Sequence, residues 1–491
     1  MKNPANKKII KVALNGFSWN MGGNIIRSLA GFVINILLAR LLGPEPFGIL
    51  AFVLLVINTC NLLIESGLGS ALIQQKEIDN QDISFVFTFQ IAFSIGLAVL
   101  IVIFAPWIAI QFASPSAAPV LKAASIILIF QAFAQVPSAL LSREFDFKHI
   151  QKAHIISFLI GYLGCGLPLA LLGFGVWSLV TANIVQTGLN ALMVYFYSNH
   201  PMKLTLKASH RLTWFGSRML AANIANWIIQ YIDQLIVGHR FGATNLGFYS
   251  RAFFLSWTPV GIILTSVQSS LFSTVSRMGK NHTTTHIFFS LIKTLSIFFF
   301  SIYWLIALES TNIIKLIYGN EWMSAANLLT PLAFAMPLLA LVGIEGPIIN
   351  GLGKPQYEMK AQWITAIFAV LLLTAASTIS LRATAWSILI INIIRLILMS
   401  SMTRKVLEIS WVQLIRPIIP GFFMGIITII IWNITNYLIS FHLNDINTTI
   451  VRSFSVILVW IIVLLIRHKS IFPELQDMIR YIRKTKNGIA E

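Results

Sequence analysis

Fourteen stretches of about twenty mostly apolar residues follow one another along this 491-residue chain, each long enough as a helix to cross a hydrocarbon core of roughly 30 Å. They begin with residues 15–38 and end with residues 449–466. Inside a bilayer every backbone N–H and C=O must be satisfied by the chain itself, so a series of such runs is solved by helices. With 57% apolar and only 11% charged residues, one soluble core could not absorb this apolar content. The expected fold is therefore all-α: a polytopic membrane protein of about 14 transmembrane helices, arranged as two six-helix lobes around a central cleft with two C-terminal helices appended.

The basic residues test that count, because loops that remain on the cytoplasmic side carry the Lys and Arg excess. With the N-terminus placed inside, 24 of the 35 Lys and Arg residues fall on inner segments, 6 on outer connections and 5 within spans. A miscounted helix would scramble this alternation. The formal net charge of +18 is thus explained by topology, and it does not point to nucleic acid, since the basic residues are dispersed between apolar runs. An even number of spans puts both termini on one side, the cytoplasmic one when the N-terminus is placed inside. The basic start, MKNPANKK, leads into an apolar segment longer than a signal peptide's and is read as a retained first helix.

The two halves resemble each other at a shift of 199 residues. LLGPEPFG, with Gly43 and Gly48, reappears as RFGATNLG, with Gly242 and Gly247, while Asn24 falls on Asn223. Each half starts with a helix leaving the same side, which relates the halves by an axis along the membrane normal. The expected divisions are 1–200 for an N-terminal lobe, 201–402 for a C-terminal lobe, 403–467 for the last two helices and 468–491 for a basic amphipathic tail. In that tail Ile471, Phe472, Leu475, Met478, Ile479 and Ile482 recur at helical spacing beside Arg480, Arg483 and Lys484, a pattern suited to an anionic inner leaflet.

Polar residues within the spans are not randomly placed. At 100° per residue Asn20, Asn24, Arg27, Gly31 and Asn35 lie within about 80° of one another. The seventh span repeats the stripe with Asn223, Asn226, Gln230, Asp233 and Gln234, and the second carries Asn58, Asn61 and Glu65. Arg27 is the deepest charge, about 18 Å from the inner surface at 1.5 Å per residue. A guanidinium near mid-bilayer costs about 2.5–3.5 kcal/mol even on insertion scales, so it is expected to face a polar cleft. There it either pairs with a carboxylate such as Glu65 or Asp233 or lines a path for substrate. Arg27, Asn24, Asn20, Asn223, Asn226, Gln230 and Arg395 are accordingly the candidate substrate-binding residues. Asp233, Glu65 and Arg251 are candidates for pairing within the cleft or for carrying a coupling ion, and Glu345 lies nearer an inner end, where reaching the interface is cheap.

Cys60 and Cys165 both lie in apolar segments and suggest neither a disulfide framework nor a metal site. There is no phosphate-binding loop, HExxH or metal-spaced CxxC, and His149 and His154 read as interface residues. No cofactor, metal or enzymatic chemistry is expected. The outer connections are too short to house a catalytic domain, which favours a carrier.

Four segments carry a family resemblance: LARLLGPEPFGILAF, SREFDFK, DQLIVGHRFGATNLGFYSRA and NGLGKPQ. They resemble Wzx-type polysaccharide exporters, in the colanic and teichuronic acid branch of the multidrug/oligosaccharidyl-lipid/polysaccharide flippase superfamily. The resemblance implies a flippase that moves undecaprenyl-pyrophosphate-linked oligosaccharide between leaflets by alternating access. Arg27 occupies a position where such proteins often set a basic residue toward the pyrophosphate, and Asp233 and Arg251 match the motif around spans seven and eight. Arg395 matches no family motif. The expected partners are the lipid-linked oligosaccharide and anionic lipids, with glycan polymerase machinery a further candidate. The alternative function, a cation-coupled multidrug exporter, calls for an acidic lining that the deep arginine opposes.

Overall fold

The computed structural model describes residues 4–65, 68–69, 72, 78–112, 114–198, 205, 210–439 and 445–471. Every regular element among them is a helix. In order these are α1 (Pro4–Leu42), α2 (Pro44–Glu65), α3 (Asn80–Gln111), α4 (Ala117–Arg143), α5 (Phe147–Leu171), α6 (Val176–Tyr197) and α7 (His210–Met278). They continue as α8 (His282–Leu308), α9 (Met323–Gly351), α10 (Pro355–Ser377), α11 (Leu381–Leu407), α12 (Ile419–Ile439) and α13 (Asp445–Ile471), joined in places by short helices of three to eight residues. Among the described residues, twelve helical stretches are long and apolar enough to cross a membrane. One of them turns at Gly242 into two limbs, and the shorter apolar helix Thr448–Val463 completes the fourteen spans expected from the sequence. The protein is a multi-pass membrane protein. The tail from residue 472 onward lies outside the described residues.

Local chemistry fixes the helix ends. Asp79 caps α3, accepting from the Asp82 amide at 2.6 Å while Asp82 reaches back to the Asp79 amide. Asn281 does the same for α8, at 2.7 Å from the Thr284 amide. Gly43 and Gly242, with φ of 72° and 77°, turn the chain at equivalent points of the repeat, in a region closed to most side chains. Within the spans the inward face is small or apolar and the outward face large. On α3, Ser94, Ala98, Ala105 and Ala109 are buried, whereas Ile103, Trp107 and Ile110 are more than 60% exposed, as suits a lipid-facing stripe.

The chain divides into two compact units, residues 1–254 with 366–384, and residues 255–365 with 385–491. In the first, Val86 and Phe87 of α3 pack with Val136 and Leu140 of α4, and Ile150 and Ala153 of α5 pack with Ala191 and Val194 of α6. The repeat is visible here as a reciprocal contact. A Cβ built on Gly48 would lie 1.7 Å from the carbonyl oxygen of Ala243, and one built on Gly247 would lie 2.1 Å from that of Pro44. Residues 44 and 48 correspond to 243 and 247 at the 199-residue shift, so each copy of the turn presents its glycine to the same backbone atom of the other.

In the second unit Val342 and Ile349 of α9 pack against Met399 and Val406 of α11. The last two helices are tied to this unit through a buried carboxylate at the end of α8. Glu309, 1% exposed, accepts from Trp432 Nε1 at 2.6 Å and Asn312 Nδ2 at 2.7 Å, and lies 3.5 Å from Arg452 Nη1.

Candidate functional site

The site is built where α1 meets α5. Gly23, Arg27 and Gly31 stand at i, i+4 and i+8 on α1 and meet Gln151, His154 and Phe158, at i, i+3 and i+7 on α5. A Cβ on Gly23 would come within 2.6 Å of Gln151 Oε1, and one on Gly31 within 3.6 Å of Phe158. The missing side chains on either side of Arg27 let the two helices close around it. Beyond Phe158, α5 relaxes into a π-helical stretch, Ile160–Gly166, and Gly161 presses against the Ala182 carbonyl of α6.

Arg27 Nη1 is 2.9 Å from His154 Nδ1, and its Nη2 donates to Asn24 Oδ1 at 3.4 Å. A guanidinium has no acceptor, so His154 Nδ1 must accept and the ring proton sits on Nε2. His154 is therefore the neutral tautomer with Nε2–H as a further donor. No carboxylate pairs with Arg27 among the described residues, so the ion pair with Glu65 or Asp233 allowed by the sequence is not formed. The arrangement is a net positive charge with two donors, held by neutral groups inside a membrane-spanning helix pair.

Two turns further along α1, about 12 Å at 1.5 Å per residue, Asn35 Nδ2 donates to the Gly31 carbonyl at 2.8 Å while its Oδ1 accepts from Arg251 Nη1 at 2.8 Å. The Arg251 guanidinium also lies over Phe47, 4.6 Å from the ring centre, and Phe254, at 5.0 Å. The α1 stripe thus runs from one guanidinium to another.

Other expected residues go elsewhere. Asp233 is 3% exposed and belongs to neither arginine: Tyr249 Oη donates to its Oδ2 at 2.6 Å and the Gln234 amide to its Oδ1 at 2.8 Å. This joins the two limbs of α7 across the Gly242 turn. Asn226 and Gln230 are exposed on the first limb, and Glu65 is exposed at the end of α2 without an ion pair among the described residues. Arg395, in the second unit, donates to Gln362 Oε1 at 3.1 Å, and Gln362 in turn reaches Glu358. The side chains of Asn20 and Asn223 lie outside the described residues. The sequence reading passed over His154 as an interface residue. Its only signal was a histidine inside an apolar span.

The family described as "Polysaccharide biosynthesis protein" matches residues 37–327, more than half of the chain. The chain belongs to this family. Within this polysaccharide biosynthesis protein the matched stretch includes Asp233 and Arg251 and starts beyond Arg27. Among curated relatives, the succinoglycan biosynthesis transport protein ExoT of Rhizobium meliloti is 26% identical over 68% of this chain and 69% of its own. The teichuronic acid biosynthesis protein TuaB of Bacillus subtilis is 23% identical over 74% of this chain and 78% of its own. Among solved structures, the lipid II flippase MurJ in its inward closed conformation shares the fold, with a TM-score of 0.76 at 14% identity, covering 93% of this chain and 99% of that one.

Proposed function

We propose that this protein moves a pyrophosphate-linked polyprenyl oligosaccharide from the inner to the outer leaflet of a bacterial cytoplasmic membrane by alternating access, with both termini in the cytoplasm. The observation that carries the proposal is the state of Arg27, a guanidinium in a membrane helix stabilised by a neutral imidazole and an amide and, among the described residues, not neutralised by a carboxylate. Holding such a charge costs several kcal/mol unless an anion completes it. Its planar donor fork matches adjacent phosphate oxygens, and the second donor, Nε2–H of His154, is oriented by the same contact. Arg251, two turns along the stripe, offers the next positive position as the head group advances. Amides such as Asn24 would take sugar hydroxyls, and the polyprenyl tail can stay in lipid. The relatives named for succinoglycan transport and teichuronic acid biosynthesis, and the fold shared with a lipid II flippase, support a substrate of this class. A site with uncompensated positive charge disfavours cationic drugs as cargo.

The test is surface glycan in cells carrying Arg27→Ala, Arg27→Lys or His154→Gln, with membrane protein levels measured in parallel. Arg27→Ala abolishes export, and Arg27→Lys restores it only in part because the two-pronged contact is lost. His154→Gln keeps partial export. Normal export by Arg27→Ala would overturn the assignment. In the gene deletion, mass spectrometry of the accumulated lipid-linked saccharide names the cargo.

A further inference from the structure

A further buried ionisable group, Glu345, stands in the second unit, outside the proposed substrate site. Val342, Glu345 and Ile349 fall at i, i+3 and i+7 on α9, the face that packs on Met399 and Val406 of α11. Glu345 is 1% exposed. Ser400 Oγ donates to its Oε1 at 2.6 Å, and its Oε2 is buried with no hydrogen-bond partner. An ionised carboxylate with one bare oxygen in such a seam would cost several kcal/mol, a cost that one proton removes.

The charged groups on the surrounding helices do not relieve it. Glu358 of α10 faces the neighbouring Gly346 and is bonded to Asn350 at 2.5 Å and to Gln362. Arg395 of α11 is engaged with Gln362, Arg404 of α11 stacks on Trp411, and Lys293 of α8 forms no ion pair with Glu345. Lys315 and Glu321 lie beside the start of α9, more than twenty residues away along the helix.

The backbone around Glu345 is a ready joint. Pro347 has no N–H and cannot bond the carbonyl of Gly343, four residues earlier, and this freed oxygen instead accepts from Gln268 Nε2 at 2.8 Å. Glu345 sits between the freed carbonyl and the proline that frees it. Bending there would carry the carboxyl away from Ser400 and toward water.

We propose that Glu345 is a proton-binding site within the membrane, holding a proton while α9 packs on α11 and releasing it when α9 bends, so that a proton gradient drives the conformational cycle. Uptake forms one O–H bond on the carboxyl and release breaks it, with water on the two sides as source and sink. The site rests on its own residues and stands whatever Arg27 binds.

The experiment uses the full-length protein in lipid vesicles. Infrared spectra near neutral pH show a protonated-carboxyl band that shifts in heavy water and is missing from Glu345→Gln, a variant that keeps the shape of the neutral group. Thr403→Cys, fully buried on α11, is then reacted with a water-soluble maleimide over a range of pH. At alkaline pH it labels several-fold faster with Glu345 than in the Glu345→Gln background, and at acidic pH the two rates converge. Comparing the two backgrounds cancels the intrinsic pH dependence of the thiol. An unchanged band in Glu345→Gln, or equal labelling in both backgrounds at every pH, would overturn the proposal. Loss of the band together with normal export by Arg27→Ala would leave the proton site standing and remove only the pyrophosphate reading.

Discussion

Replacing Gly48 by alanine tests the close reciprocal contact between the two turns. The added methyl carbon would lie 1.7 Å from the Ala243 carbonyl oxygen and 2.5 Å from its carbon, far inside the 3.4 Å at which ordinary contact begins. The obstructing atoms are backbone, so no rotamer change clears them, and the two turns must part by roughly 1.7 Å. In an ordinary helix position the same substitution would add about 0.5–1 kcal/mol of stability, because alanine restricts the unfolded chain and favours the helix. Forced separation of packed backbone costs about 1–3 kcal/mol, with loss of close Cα–H···O contacts of about 0.5–1 kcal/mol each on top. The net expectation is destabilisation of about 2 kcal/mol, of opposite sign to the propensity effect. Gly96 supplies the control, since nothing lies within 4 Å of a Cβ built there in the middle of α3. Thermal unfolding of the purified protein in one detergent should show a lower midpoint for Gly48→Ala and an unchanged or higher one for Gly96→Ala. Gly247→Ala should match Gly48→Ala, and the double variant should fall short of the sum because the first methyl has already opened the interface. A midpoint for Gly48→Ala at or above that of the unaltered protein would refute the reasoning.

Three further outcomes follow from buried or paired charges. Arg452→Ala removes the cation beside the fully buried Glu309 and should cost about 3 kcal/mol, the low end for breaking a buried pair because Trp432 and Asn312 still donate to the carboxylate; Glu309→Gln in the same background should recover much of the loss in a thermal unfolding series. Tyr249→Phe strips Asp233 of its side-chain donor, with an expected cost of about 1–3 kcal/mol, and Asp233→Asn added to it should be the milder state; equal midpoints for the single and double variants would argue that the carboxylate is not what suffers. At the membrane surface Lys280 lies 2.6 Å from Glu408 and holds its carboxyl below the usual range. Because that shift is downward, the pair's contribution is complete above the ordinary carboxylate value and is lost as pH falls through the lowered one. The pair is exposed, so the effect is small and screened by salt, and the gap between the unaltered protein and Glu408→Gln should close on acidification.

The spans, their turns and the repeat were legible in the sequence because each is set by neighbours along the chain. Apolar length decides what crosses a bilayer, and Gly43 and Gly242 take the turn without strain. Periodicity also showed that Arg27, Gly31 and Asn35 share a face. It could not show what that face meets. Helical register gives a side chain its direction but not the partner waiting there, and His154 stands 127 residues from Arg27. Packing alone decided that Arg27 rests on an imidazole instead of a carboxylate, that Asp233 takes its proton donor from Tyr249, and that Glu345, which the sequence placed near an easy exit to water, is sealed in an apolar seam. Membrane helices can pair in many ways at similar apolar area, so the choice among pairings falls to small residues such as Gly23, Gly48 and Gly247, whose missing side chains let particular backbones touch.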